Sequence, residues 1–231
     1  MDVVLFAFYA LAYAVLLVWL IRLGVRHGFA APSMVLLPVV AGLIYDNGIV
    51  AVGGLIGEGP LLENLNAVRF WSHALLTPLL TIFAWDAVRR AGVRWAGSRI
   101  AAVGAVLLTL ALITIEMTTE LAQLNLVATR EYGTLRYAPG ESDGPPIMVL
   151  VIALVQLIAS VIVFRKQRWP WYLVAAALMI VFSAVPLPLP TGAGVNFFEL
   201  ILLTALVATK ARQDRQSAPA GAAATPTPAH A

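Results

Sequence analysis

Residues 3–21 read VVLFAFYALAYAVLLVWLI, nineteen consecutive positions without a charged side chain. At about 1.5 Å of rise per residue a helix of this length covers roughly 30 Å, the thickness of a bilayer's hydrocarbon core. A helix that is apolar on every face needs lipid or a large protein core around it. The chain cannot supply such a core, because 61% of its 231 residues are hydrophobic and only 12% are charged. Soluble domains are nearer half apolar and a quarter charged. Asp2 stands where a signal peptide carries its basic region, so the run is read as a retained first helix.

Six further segments are long and apolar enough to join it. The expected spans are about 3–23, 32–57, 68–88, 99–124, 147–164, 169–185 and 195–209. The fold class is therefore an all-α polytopic membrane bundle of about seven helices in one domain, residues 1–212. Residues 125–146 are polar and contain Pro139, Gly140, Gly144, Pro145 and Pro146, which marks an external loop able to lid a pocket. Pro186, Pro188 and Pro190 close the sixth span, and the Ala-, Pro- and Thr-rich residues 213–231 are expected to be a disordered tail.

Charge sets the orientation. Of fifteen Lys and Arg residues, all but Arg69, Arg130 and Arg136 fall on one side of these spans, while Glu58, Glu63, Glu131, Glu141 and Asp143 gather on the other. The positive-inside rule then places the N-terminus outside and the C-terminus in the cytoplasm. The excess of Arg over Lys, with abundant Ala, suggests a GC-rich bacterial genome and hence a bacterial cytoplasmic membrane. The partner of this surface is the lipid bilayer and not nucleic acid, since the net charge of +3 is accounted for by topology.

Ionisable groups at membrane depth cost about 2.5–3.5 kcal/mol each on insertion scales, so they mark function by default. The candidates for chemistry are Asp46, Glu116, His73 and Glu199; Asn47, Arg69, Glu120 and Asn196 are candidates for binding. They are expected to meet in an outward-facing cavity. Glu116 and Glu120, four apart, share a helix face, as do Arg69, His73 and Thr77, and Asn196 with Glu199. Against this stands the plainer possibility that such faces only make packing hydrogen bonds, worth about 0.6–2 kcal/mol each. That reading is favoured for Gln156, Ser160 and Asn196, and Asp86 is expected to pair locally with Arg89 and Arg90.

Three further features bear on shape. Asp46-Asn47-Gly48 is turn chemistry at mid-depth, read either as a break in the second helix or as a mild glycine kink. Gly53 and Gly57 form a GxxxG pair that suggests close helix packing. Pro78 should kink the third span just beyond His73.

The inventory excludes several activities. Absence of Cys removes disulfides, thiolate metal sites and cysteine nucleophiles. Lys210 lies at a helix end, not inside the last span as a retinal Schiff base requires. One bundle histidine serves neither a zinc hydrolase nor a bis-histidine haem, no GxSxG elbow is present, and no cofactor or metal is implied. What remains is a carboxylate and histidine site fit for acid–base work. In size and span count the chain resembles small integral-membrane terpene cyclases, which use acidic residues this way; no motif matches residue by residue. The expectation is an enzyme acting on a lipid or isoprenoid. A proton- or cation-linked transporter, channel or sensor is the alternative, and a membrane accessory or assembly subunit is a third.

Overall fold

The computed structural model describes residues 2–140, 147–184 and 191–217. It is an all-α membrane bundle with one small hairpin. Helix α1 spans Asp2–His27; a 3-10 turn, Pro32–Val35, leads into α2, Leu36–Ile56. Helices α3, Pro60–Leu76, and α4, Leu80–Arg90, are joined by the 3-10 turn Thr77–Leu79. After α5, Arg99–Glu116, comes one π-helical turn, Met117–Leu121, and then strands β1, Leu126–Glu131, and β2, Thr134–Pro139. Helices α6, Ile147–Gln167, α7, Pro170–Ala184, and α8, Gly194–Ser217, complete it.

Among the described residues six helical stretches are long and apolar enough to cross a membrane, and Pro170–Phe182 is a shorter apolar one. Their packing shows why lipid is the solvent. On α1 the buried residues Phe6, Tyr9, Tyr13, Leu16, Leu20 and Leu23 recur every three or four positions, a packing stripe. The opposite face is equally apolar but uncovered, with Leu11 and Val15 each 69% exposed. An exposed face of this kind fits acyl chains, not water.

The third span starts eight residues earlier than expected. Pro60 sits in the first helical turn, Gly59 caps it at φ 148°, and Glu63 lies in the first turn. A fixed proline φ and an acid at the positive helix end both favour starting there. Pro78 does interrupt the span, as a 3-10 turn. The Thr81 hydroxyl donates to the Pro78 carbonyl at 2.8 Å, and Gln156 Nε2 donates to Leu80 O at 2.8 Å.

Of the two readings of Asp46-Asn47-Gly48, the helix break is absent: α2 is continuous. Asn47 Nδ2 donates to Leu43 O, one turn back in its own helix, at 2.9 Å. Asp46 is engaged by Arg69. With both side chains committed, neither competes with the backbone for a turn.

Of the GxxxG pair, Gly53 faces a second helix, since a Cβ there would lie 3.5 Å from Leu62 Cδ1 of α3, but its tighter neighbour is the hairpin. A Cβ on Gly53 would lie 2.0 Å from the backbone oxygen of Leu135, so this glycine admits the hairpin. Gly57, at φ 84°, ends α2. The presumed external loop is in part a sheet: β1 and β2 pair antiparallel around Tyr132 and Gly133, both at positive φ, the geometry of a type I′ turn. Leu135 and Tyr137 pack on Leu62, and the Tyr137 hydroxyl accepts from Gly59 N at 3.1 Å. Of the expected loop, residues 141–146 lie outside the described residues, as do Pro186, Pro188 and Pro190.

At the opposite end, the basic one, α8 runs on to Ser217, past the expected tail boundary at 213. Asp214 is buried and accepts from Arg90 Nη2 at 2.6 Å and Lys210 Nζ at 2.8 Å, while Gln213 Nε2 donates to Ala87 O at 2.9 Å. These bonds hold the extra turn against α4. The rest of the expected tail lies outside the described residues. Asp86 pairs with Arg89 as expected and also accepts from Ser33 N at 3.1 Å, but Arg90 turns to Asp214.

Candidate functional site

Polar side chains from three helices open on one cavity of about 380 Å3. Helix α2 contributes Asp46, α3 contributes Arg69, Ser72 and His73, the proline turn contributes Thr77, and α8 contributes Asn196 and Glu199. Leu43, Leu76, Val149, Met179 and Leu203 form the apolar wall. Helical spacing puts them there: Arg69, His73 and Thr77 are successive i,i+4 neighbours, and Asn196 and Glu199 are i,i+3 neighbours. The i,i+3 and i,i+4 rows of α3 and α8 thus form two polar strips in a mainly apolar pocket. Such a pocket lies within the usual range of about 300–1,000 Å3 for small-molecule sites.

The two cavity carboxyl groups have different partners. Arg69 Nε donates to Asp46 Oδ1 at 2.9 Å, and Arg69 Nη1 donates to Asn66 Oδ1 at 2.6 Å. Asn66 is itself tied to Leu62 O at 2.7 Å, so the guanidinium is held in place before it meets the acid. Glu199 instead accepts from the Tyr13 hydroxyl, Oε2 to oxygen 3.4 Å. Among the described residues it has no salt-bridge partner. Asp46 is therefore a fixed half of an ion pair, and Glu199 has a neutral partner.

The chain matches no protein-family model and no curated protein.

His73 is exposed along the cavity, with Nδ1 3.2 Å from Thr77 Oγ1. When Nδ1 donates to that hydroxyl, Nε2 is the acceptor nitrogen. Asn47 does not line the cavity. It is fully buried behind it, and its Oδ1 accepts from Asn196 Nδ2 at 3.3 Å, which links α8 to α2.

Glu116 and Glu120 are not brought to this site. Glu116 ends α5 and Glu120 lies in the π turn, both half-buried and outside the cavity wall. Helix α5 buries only Thr109 and Leu112, so it lies at the rim of the bundle, and its Ile100 is 86% exposed. Shared helical spacing of two acids says which face they occupy, but not whether that face turns inward.

Three contributors are uncharged at neutral pH and were not among the expected site residues: Tyr13, Asn66 and Ser72. Tyr13 carries a usable signal, a phenol within the packed stripe of α1, since a buried hydroxyl needs a partner. Asn66 lies three residues before Arg69, the spacing at which helical side chains meet. Gln156 is a packing residue as expected: its Oε1 accepts from the Tyr172 hydroxyl while its Nε2 bonds Leu80 O.

Proposed function

We propose that this is a multi-pass enzyme of a bacterial cytoplasmic membrane, N-terminus outside, that performs acid–base chemistry on a lipid or isoprenoid held in the cavity. The observation that supports it is the contrast between the two carboxyl groups: Asp46 is bound to Arg69, while Glu199, on the same apolar-walled cavity as His73, is met among the described residues by the Tyr13 hydroxyl alone. An ion-paired carboxylate and one with a neutral partner thus face the same cavity, which is the arrangement this reading uses.

In this reading Glu199 gives its proton to one carbon of a substrate double bond. Nε2 of His73 then removes a proton from a carbon next to the cationic centre. One proton enters and one leaves, the double bond moves or a ring closes, and the proton taken up by His73 returns to Glu199 through the cavity to reset the pair, so no co-reactant is consumed. Asp46, fixed by Arg69, offers the cavity the carboxylate end of a neutral ion pair where positive charge develops on carbon. Ser72 and Asn196 are placed to orient a polar head.

The test is mass spectrometry of lipids that co-purify in native membrane discs with the wild type and with Glu199→Gln. A specific lipid or isoprenoid whose modified form is lost in the variant is the expected result. Absence of any specific molecule from both samples would overturn the reading, and proton flux in liposomes would then measure the transport alternative.

A further inference from the structure

A second cavity, of about 370 Å3, lies at the basic end, far along α8 from Glu199. Its wall is Trp19 of α1, Trp169 just before α7, and Ala208, Ala211, Arg212, Arg215 and Gln216 of α8. The four α8 residues before Gln216 fall at i, i+3, i+4 and i+7, one continuous face of the helix. Arg212 is eighteen residues past Gly194, roughly 27 Å along the helix axis, which puts its guanidinium near headgroup depth when α8 spans the bilayer.

The guanidinium of Arg212 is held in place but not neutralised. It lies 4.9 Å from the Trp169 ring, and its Nη2 donates to Gln167 O at 3.2 Å. The Trp169 indole is fixed in turn by donating to Thr209 Oγ1 at 3.0 Å. Arg212 Nε is buried and has no hydrogen-bond partner among the described residues. Arg215 is exposed beside it and has no salt bridge there.

Acids at this end do not balance the pair. Asp214 is occupied by Arg90 and Lys210, and Asp86 by Arg89 and Ser33. Residues 218–231 contain no Asp or Glu. The C-terminal end of α8 carries about half a negative charge from its dipole, less than the two guanidinium charges. A preset guanidinium without a counter-charge, a second arginine and two indoles form a receptor for a phosphate oxyanion at a membrane interface.

The geometry points to a phosphate-binding site formed by Arg212 and Arg215 between Trp19 and Trp169, filled by the phosphodiester of an anionic lipid in the leaflet at the basic end. The indoles accept the glycerol and upper acyl carbons, for which free phosphate has no equivalent. This site is independent of the cavity around Glu199.

The experiment is native mass spectrometry of the full chain, titrated with phosphatidylglycerol and phosphatidylcholine of matched acyl chains. Phosphatidylglycerol should be retained preferentially. That preference should fall about fivefold in Arg215→Gln and about thirtyfold in Arg212→Gln/Arg215→Gln. Arg94→Gln/Arg99→Gln removes two exposed charges at the same end and should leave it unchanged. Equal losses in the two double variants, or equal retention of both lipids by the wild type, would overturn the site. Displacement of phosphatidylglycerol by millimolar inorganic phosphate would overturn the lipid assignment. Arg215→Gln alone disturbs no bond within the chain described above, so the test survives if Arg212 proves necessary for folding.

Discussion

Asp46→Asn and Glu199→Gln should separate a carboxylate that holds structure from one available for chemistry. The Asp46–Arg69 pair is 2.9 Å long, with side chains 26% and 11% exposed respectively. At an effective dielectric of about 20, two unit charges some 3 Å apart attract by roughly 5–6 kcal/mol, much of it offset by desolvation. Stranding one partner of a buried pair costs about 3–5 kcal/mol. Partial exposure of Asp46 and the oxygen retained by asparagine bring the expected loss to about 2–3 kcal/mol, with a similar loss for Arg69→Gln. The double variant strands neither charge, so its loss should fall short of the sum by about 2 kcal/mol. Glu199→Gln keeps an acceptor for Tyr13 and strands no cation, so its cost should be under about 1 kcal/mol. Equilibrium unfolding in mixed micelles, followed by far-UV circular dichroism, measures all four variants. A Glu199→Gln loss as large as that of Asp46→Asn would refute the division of roles, and additive losses at Asp46 and Arg69 would refute the coupling.

Two neighbouring glycines of α2 should respond with opposite signs. Gly54→Ala meets nothing within 4 Å and should gain up to about 1 kcal/mol in helix propensity, whereas Gly53→Ala must displace the Leu135 carbonyl. The overpacking cost of about 1–3 kcal/mol should leave Gly53→Ala about 1–3 kcal/mol less stable than Gly54→Ala, with faster hydrogen exchange across 126–139. Equal stability of the two would count against the hairpin's position. Asp214→Asn strands Lys210 and Arg90 together, and unfolding should show a loss of about 3–5 kcal/mol; an unchanged midpoint would refute that. Because the chain has no native Cys, Arg130→Cys should be labelled by an impermeant maleimide on intact cells, and Gln216→Cys only after lysis. The reverse pattern would invert the orientation.

The helices were legible because lipid imposes a length and a hydropathy that a single chain displays directly. Their ends were less so. The start of α3 at Pro60 depends on a proline and a cap within a polar stretch, and the last turn of α8 depends on Asp214 finding Arg90, a partner 124 positions away in sequence. The hairpin left a trace in the alternation through Leu135 and Tyr137 after Tyr132-Gly133. What hid it was the Gly and Pro content of the same segment, which reads as loop.

Site residues divide along the same line. Depth in the membrane follows from distance to a span's end, and it singled out Asp46, His73 and Glu199 as well as Glu116. Rotation about the helix axis does not follow from depth, and Glu116 fails on rotation. Its helix is apolar on nearly every face, so hydropathy gives no inward direction, and two acids four apart fit an edge as well as a core. On α3 the outcome differs because its polar face is long, running from Asn66 through Arg69 and His73 to Thr77. A strip of that length cannot be left in lipid without a cost at each step, so it turns toward other polar groups. Asp46 then supplies the charge that Arg69 needs. Pairing with Arg69 holds Asp46 away from its own backbone and keeps α2 helical where the local sequence favours a turn. The unbroken second helix and the fixed Asp46 charge therefore have one cause, and a variant that loses Arg69 should loosen both.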